Sequence, residues 1–423
     1  MLRSLFSAIS GLQAHQTKMD VVGNNIANVN TVGYKSQTTV FEDTLSQLLR
    51  NGSSPTATTA GTNPAQVGLG VKVGDITTNF SQGSTQSTGR QTDFMISGDG
   101  FFVTQSGNEQ LYTRAGSFDI DATGRLVTPD GGILQGWMAG PNGVSTNGPV
   151  GDLKIPFGQT IPPVATTAST FQGNLDSQAK VTVPATVVQT SVTMYDAQGS
   201  AHPMNYTFTK TAGGWDMQVL DSTGSPMKLT DASGALLGPP AVTTQALTFN
   251  SSGVMTGPVA KQFFFAPGFA GSTTPVAVDL SAITSFGGTS TATAVKPVSG
   301  AGSAMGSLES FSLGNDGTIT GVYSNGMRNA IGQLALASFA NPGGLTKAGN
   351  SAYRVGDNSG DPKVGVAGAG GRGTLTAGAL EMSNVDLSQE FTGLIIAQRG
   401  FQANSKVITT SDQILNELVN MKQ

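Results

Sequence analysis

The stretch 20-DVVGNNIANVNTVGYKS-36 separates two kinds of sequence. Before it, apolar residues recur on a heptad. After it, Gly, Ser, Thr and Asn dominate until a second heptad pattern appears at the far end. Asn24, Asn25, Asn28 and Asn30 crowd the end of the first pattern, and Gly33 follows. Asn and Gly tolerate left-handed backbone angles and bond locally, so a helix stops here and the chain turns. Tyr34 and Phe41 are placed to anchor the extended segment beyond. This reading makes the two chain ends partners in space, with everything between them displayed outward.

Working back from the turn, Leu2, Leu5, Ile9, Leu12, Gln16, Met19, Gly23 and Ile26 alternate at spacings of 3 and 4. That is a coiled-coil seam with two soft positions, Gln16 and Gly23. A helix with so few charge pairs needs a partner. A core helix of a globular domain is the other reading of the same stripe. At the far end, Leu387, Leu394, Phe401, Ile408 and Leu415 lie seven residues apart. Phe391 and Val419 extend the stripe, while Gln398, Ser405 and Asp412 leave parts of it polar. This is the expected mate of the first seam, with Ser383 and Ser388 as candidate N-caps.

The bulk numbers narrow the function. Among 423 residues there are 57 Gly and only 11% charged residues, yet 38% hydrophobic ones. Packed, turn-rich β-structure over several domains fits this better than disorder. A net charge of −4 without any basic run argues against nucleic acid. With no Cys, disulfides and thiolate metal sites are ruled out. The N-terminus is interrupted by Ser4, Ser7, Ser10 and Gly11, so it does not read as a signal peptide, and no stretch reads as a transmembrane span.

Between the helices, residues 50–66 read by composition as a flexible excursion. The alternation in GVKVGDITTNF and the short apolar runs over 93–137 read as antiparallel strands. Phe118, Ile120, Gly124 and Leu126 are echoed at equal intervals by Phe311, Leu313, Gly317 and Ile319. Two like hairpins so far apart suggest one β-domain built from both halves of the chain, with an inserted β-rich domain between. Pro-containing segments near 156–164 and at Pro297 suit the crossings.

Several motifs invite sharper readings. Residues 119–125, DIDATGR, have only part of a calcium-loop spacing and read as a hairpin turn. A secreted carbohydrate-active enzyme could use Asp119 and Asp121, but at alternate strand positions they more simply make a turn. The run 368-GAGGRG-373 has the bare glycine pattern of a dinucleotide fingerprint but no strand–helix frame, and reads as a linker. His202 has no evident companion and reads as an exposed loop residue. No catalytic set, metal site or cofactor site emerges. A secreted β-rich adhesin would explain the composition but not the paired terminal heptads.

The block SGLQAHQTKMDVVGNNIANVNTVGYKS resembles the N-terminal signature of the bacterial flagellar rod and hook proteins. The segment GDGFFVTQSGNEQLYTRAGSFDIDATGRLVTPDGGILQGW resembles their shared β-domain, and GALEMSNVDLSQEFTGLIIAQRGFQANSKVITTSDQILNELVNM their closing helix. The motif residues are Asn24, Asn25, Asn28, Gly33, Tyr34 and Lys35. Within the family, the long β-insert favours the hook members over the distal rod members. An excursion over 42–66 is reminiscent of the latter, where it is linked to stiffness.

The resemblance implies a mainly β fold with α-helical termini. Residues 1–30 and 383–423 would form an inner coiled-coil domain, and 31–75 with 365–382 a connecting segment. Residues 76–150 and 300–364 would form the middle β-domain, with 151–299 inserted as the outer one. It further implies a non-enzymatic subunit of a helical tube outside the cell, exported by the flagellar type III apparatus without a cleaved signal. Its implied partners are further copies of itself, the distal rod protein, the hook cap protein and the hook–filament junction protein. Neither nucleic acid nor membrane is among them.

Overall fold

In this computed structural model, residues 2–52, 54–55, 60–140, 143–182, 184–238, 241–269, 274–295 and 300–421 are described, without the side chains of Leu2, Leu418 and Val419. Of the expected seams, the Leu2 and Val419 side chains lie outside the described part of the chain, as does Pro297. The chain divides into two compact units: Met1–Ile155 with Phe311–Thr320 and Ala330–Gln423, and Pro156–Ser310 with Gly321–Asn329.

The first unit holds both helices, α1 (Leu2–Ala27) and α2 (Leu387–Asn420). They pack on each other. Neither expected serine caps α2. Asp386 does, accepting the amides of Ser388 at 2.8 Å and Gln389 at 3.3 Å, as a carboxylate at a helix N-terminus should. Ser383 instead accepts the amide of Val385.

After α1 the chain does not wander. Gln37–Asp43 pairs antiparallel with Val71–Thr78, and beyond them Ser46–Arg50 pairs with Ala65–Gly68. The two pairs make a β-ribbon; among the described residues of 50–66 only Arg50, Ala65 and Gln66 belong to its strands, so that stretch is the ribbon's tip. Val71–Thr78 is the strand its alternation predicts, and the β-branched run Thr38–Val40 favours its partner. The ribbon base rests on α1: Val71 N donates to Ser10 Oγ at 3.2 Å, and the Phe41 ring meets His15 edge-on at 5.6 Å.

The β-part of this unit interleaves the two halves of the chain. Phe101–Ser106 pairs with Glu109–Thr113, Ile133–Gly140 and, from the other half, Leu336–Ser338. Arg328–Leu334 pairs with Ile133–Gly140, and Ala352–Arg354 with Glu109–Thr113. The echoed hairpins also agree in structure. Phe118, Leu126, Phe311 and Ile319 are buried, and Gly124 and Gly317 take φ of 86° and 85°. That left-handed turn position is one glycine fills without strain.

The second unit is two five-stranded sheets sharing one core. Val187–Tyr195, Ala201–Thr211, Gly214–Leu220, Thr244–Phe249 and Met255–Gly257 follow each other in one. In the other, Leu229–Thr230, Gln262–Phe265, Val276–Thr284, Ala168–Asn174 and Thr291–Val295 lie in that order, with Ala168–Asn174 and Val276–Thr284 parallel. Trp215, Tyr206, Phe171, Phe208 and Phe265 fill the space between. His202 is not on a loop and not alone. It lies in the strand Ala201–Thr211, with Nε2 3.1 Å from Asp196 Oδ2 and its ring stacked on Phe269 at 4.0 Å.

Trp215 is fully buried, and its indole N–H has no acceptor among the described residues. Trp215→Ala should therefore destabilise this unit by about 3–5 kcal/mol. Trp215→Phe, which removes the unpaired donor, should lose clearly less. Urea unfolding followed by near-ultraviolet circular dichroism checks both.

Candidate functional site

The Asn-rich stretch folds into a joint where three distant parts of the chain meet. At the end of α1, Asn28 Nδ2 donates to Asn24 O and Oδ1, and Thr31 Oγ1 donates to Asn28 Oδ1. The turn then reaches Gly33 at φ 67°, whose N donates to Glu381 O at 2.8 Å. A Cβ here would stand 2.5 Å from Ala115 N, so both backbone angle and space demand glycine.

Asn25 is fully buried and has all its bonding capacity filled. Its Nδ2 donates to Gln37 O at 2.7 Å and Glu390 Oε1 at 2.9 Å, while its Oδ1 accepts from Tyr34 OH and Gln37 N. Tyr34 is buried, with Lys347 Nζ 5.0 Å from its ring centre. Asn384 plays the matching part from the other end, accepting from Ser36 N and donating to Asn79 O and Ser81 O.

At the centre lies a wholly buried ion pair. Lys35 Nζ stands 2.6 Å from Glu381 Oε1, both side chains being fully shielded from solvent. Lys35 also donates to Ser81 O at 2.7 Å, and Glu381 accepts Gly83 N at 2.9 Å. Arg114 Nη1 approaches Glu381 Oε2 at 3.5 Å and donates to Gly98 O. Burial pulls the Lys35 ammonium below the usual lysine range, and the bond to Glu381 opposes it. Arg114 is likewise lowered by burial and held up by the Glu381 charge. One carboxylate thus holds two cations, an arrangement stable only because nearly every donor and acceptor has a partner.

The helix pair shows where the heptad residues go. Ile9, Leu387 and Phe391 are exposed, at 37%, 40% and 50%. Leu5, Leu12, Met19, Ile26, Leu394, Phe401, Ile408 and Leu415 are half-buried. None of these is buried within this chain. The line of closest approach is made of smaller residues. A Cβ on Gly11 would meet Asn404 at 2.7 Å, one on Gly400 would meet His15 at 2.5 Å, and one on Gly393 would meet Val22 at 3.8 Å. With Asn25–Glu390, these contacts define an antiparallel pair in which each step along α1 matches an equal step back along α2. Glycine and alanine let the backbones approach where larger side chains would hold them apart. Ala8 with Gly11, and Ala397 with Gly400, at helical spacing are the signal for this line, overshadowed by the larger residues beside it.

The rejected motifs have other occupations. Asp121 Oδ1 accepts the amides of Thr123 and Arg125, and Thr123 above all holds its carboxyl far below the usual range. Asp119 pairs with Arg90 at 2.7 Å. The glycine run turns so that Gly368 N bonds Gly373 O and Arg372 Nε bonds Val366 O. Among the described residues no cluster of His, Asp or Glu could hold a metal, and no helix is long and apolar enough to cross a membrane.

Family comparisons cover the same blocks. Residues 5–35 match the flagella basal body rod protein family, and 376–421 the flagellar basal body rod FlgEFG protein C-terminal. Residues 95–195 match the flagellar hook protein FlgE/F/G D1 domain, and 167–297 the flagellar basal body protein FlaE D2 domain. Flagellar hook protein FlgE of Borreliella burgdorferi is 41% identical over the whole of both chains. The chain belongs to the flagellar hook protein family. The hook protein FlgE of Escherichia coli is 37% identical over 98% of this chain and 99% of its own. The flagellar basal-body rod protein FlgG of Bacillus subtilis is 34% identical over all of both. Lys35, Arg114 and Glu381 fall in three different matched blocks, so the buried carboxylate ties together the N-terminal, D1 and C-terminal parts of a hook-family chain.

Glu381→Leu should destabilise the first unit by about 3–5 kcal/mol, since it leaves two cations buried without their carboxylate. The double variant Lys35→Met/Glu381→Leu should recover part of that loss. A double-mutant cycle on urea midpoints measures the coupling, and additivity would show that the pair does not interact.

Proposed function

We propose that this hook-family chain polymerises through its helix pair into a tube, with α1 and α2 lining a central export channel. The observation that carries this is the division of apolar residues on the helices. Small residues form the contact within the chain, while Phe6, Ile9, Phe391, Ile395 and Ile396 stand 37–65% exposed. Exposed large side chains at both ends of the helix pair call for a covering surface. The heptad residues are assigned to contacts between copies: Leu2, Leu5, Ile9, Leu12, Met19 and Ile26 on one helix, Leu387, Phe391, Leu394, Phe401, Ile408 and Leu415 on the other.

On this reading the tube is a curved universal joint between the rod and the filament, outside the cell. Residues 1–30 and 383–423 form its inner layer, 31–75 and 365–382 the connection, 76–150 and 300–364 the middle layer and 151–299 the outer one. Its end contacts would be the distal rod protein, the hook cap protein and the hook–filament junction protein, with delivery by the flagellar type III apparatus without a cleaved signal. The joint from Asn24 to Lys35 fixes the angle between inner helix and β-domain. Bending is then left to contacts between copies, where few charges fix a register. A structural role of this kind asks for no catalysis.

Ile9→Glu and Phe391→Glu should each lower polymer yield roughly tenfold or more, because about 1.4 kcal/mol per contact is already tenfold and an unpaired buried carboxylate costs more. Sedimentation measures the yield, and unchanged β-signal in circular dichroism shows that the domains remain folded. Normal tubes from both variants would overturn the assignment. Hydrogen exchange adds a second check: both helices, packed on each other in the monomer, should gain further protection in the polymer, and equal protection would contradict assembly through them.

A further inference from the structure

His15 sits where three elements of the first unit converge. It projects from α1 onto α2, where Gly400 supplies the seat: any Cβ there would lie 2.5 Å from both Cε1 and Nε2 of the ring. On its other side Phe41 of the ribbon meets the ring edge-on at 5.6 Å. His15 Nδ1 is buried and has no hydrogen-bond partner among the described residues. An imidazolium needs acceptors at both nitrogens, and this site offers Nδ1 none.

The charges around the ring do not supply a counter-ion. On α1, Lys18 is one turn away and also lies over Phe41, 5.7 Å from its ring centre. On α2, Glu390 is held by Asn25, and Arg399 adjoins the Gly400 seat in sequence. On the ribbon, Glu42 and Lys72 neutralise each other at 3.1 Å, and Asp43, on the same strand face as Phe41, stands exposed to solvent. Desolvation, with Lys18 adding to it, accordingly holds the His15 ring below its ordinary value of 6.5.

We propose that His15 is an acid-sensitive wedge: neutral, it seats α1 on both α2 and the ribbon; protonated, it loosens that three-way packing. The direction follows from linkage. The packed ring titrates below the free one, so as pH falls through 6.5 the unpacked chain binds more protons than the packed chain. Stability of the packing drops over that window and levels off once the packed ring is protonated too. Acid would thus release the inner helices and the ribbon while the β-sheets stay folded, making disassembly begin at the helix pair.

The chain has only two histidines, so the effect can be assigned. Full-length unassembled protein is melted at about pH 8 and about pH 5, bracketing the imidazole range, with the helical circular dichroism band as readout. The wild type and His202→Gln should each lose about 2 °C or more of helical midpoint on acidification. His15→Phe should show no such loss, and His15→Gln serves if the phenylalanine ring does not fit. A wild type without acid loss, or a loss retained in both His15 variants, overturns the proposal. Proton NMR of the His15 ring gives a direct reading, and a titration at or above 6.5 would also overturn it. No polymer is needed, so the outcome is independent of the assembly proposal.

Discussion

The first unit depends on one buried carboxylate. Glu381 lies 346 residues beyond Lys35, and their 2.6 Å contact is completely shielded from water. Burying a carboxylate, an ammonium and a guanidinium together carries a large desolvation cost, which the surrounding bonds to Ser81, Gly83 and Gly98 only offset. Apolar side chains would have filled the space with less penalty. What they would not do is define register. Oily surfaces slide by a residue at small cost, whereas a fully bonded carboxylate accepts one arrangement. A joint that must present every copy of the chain at the same angle has use for that selectivity.

Around this point the network extends in both directions along the chain. Asn25 links the end of α1 to Gln37 and to Glu390 of α2, and Asn384 links Ser36 to Asn79 and Ser81. Each of these asparagines joins strands of chain more than 300 residues apart or bridges a helix to the ribbon. The helices themselves, by contrast, touch where glycines face Asn404, His15 and Val22. Most of the large heptad side chains beside this line are left half-exposed within the chain. The strong fixing is at the joint and the weak fixing is along the helices. That gradient keeps the helices aimed.

The joint is legible in the sequence as a helix stop, because Asn and Gly at Asn24–Gly33 carry a local conformational signal. Both helices are legible from their stripes, and the interleaved β-domain from the echo of Phe118–Leu126 in Phe311–Ile319. What composition hides is long-range. Nothing local marks Lys35 and Glu381 as partners, since each has the look of an ordinary surface residue. In the ribbon, 71–78 is legible from its alternation, whereas 37–43 escapes because Thr and Gln also make loops, and only its pairing with 71–78 reveals it. The contact line within the chain departs from the expected seam because large apolar residues dominate a heptad count. Where two helices approach closely, it is the small residues that carry the information.

The second unit handles charge in the opposite way. Asp196, Asp221 and Asp231 each turn Oδ1 back to accept amides two and four residues ahead, at 2.8–2.9 Å. Their carboxyls are held below the usual range, by side-chain bonds to His202, Thr223 and Ser233 respectively. A carboxylate lowered in the folded state favours folding above its free value, and that contribution fades only as pH falls through the lowered one. The hairpin turns of this unit therefore keep their geometry through the window in which a buried imidazole such as His15 changes charge. Since these carboxylates already accept bonds from their own turns, they are poor partners for a neighbouring copy. A surface of that kind favours short-range contacts without fixed charge pairs, and contacts without fixed pairs can exchange as a tube bends.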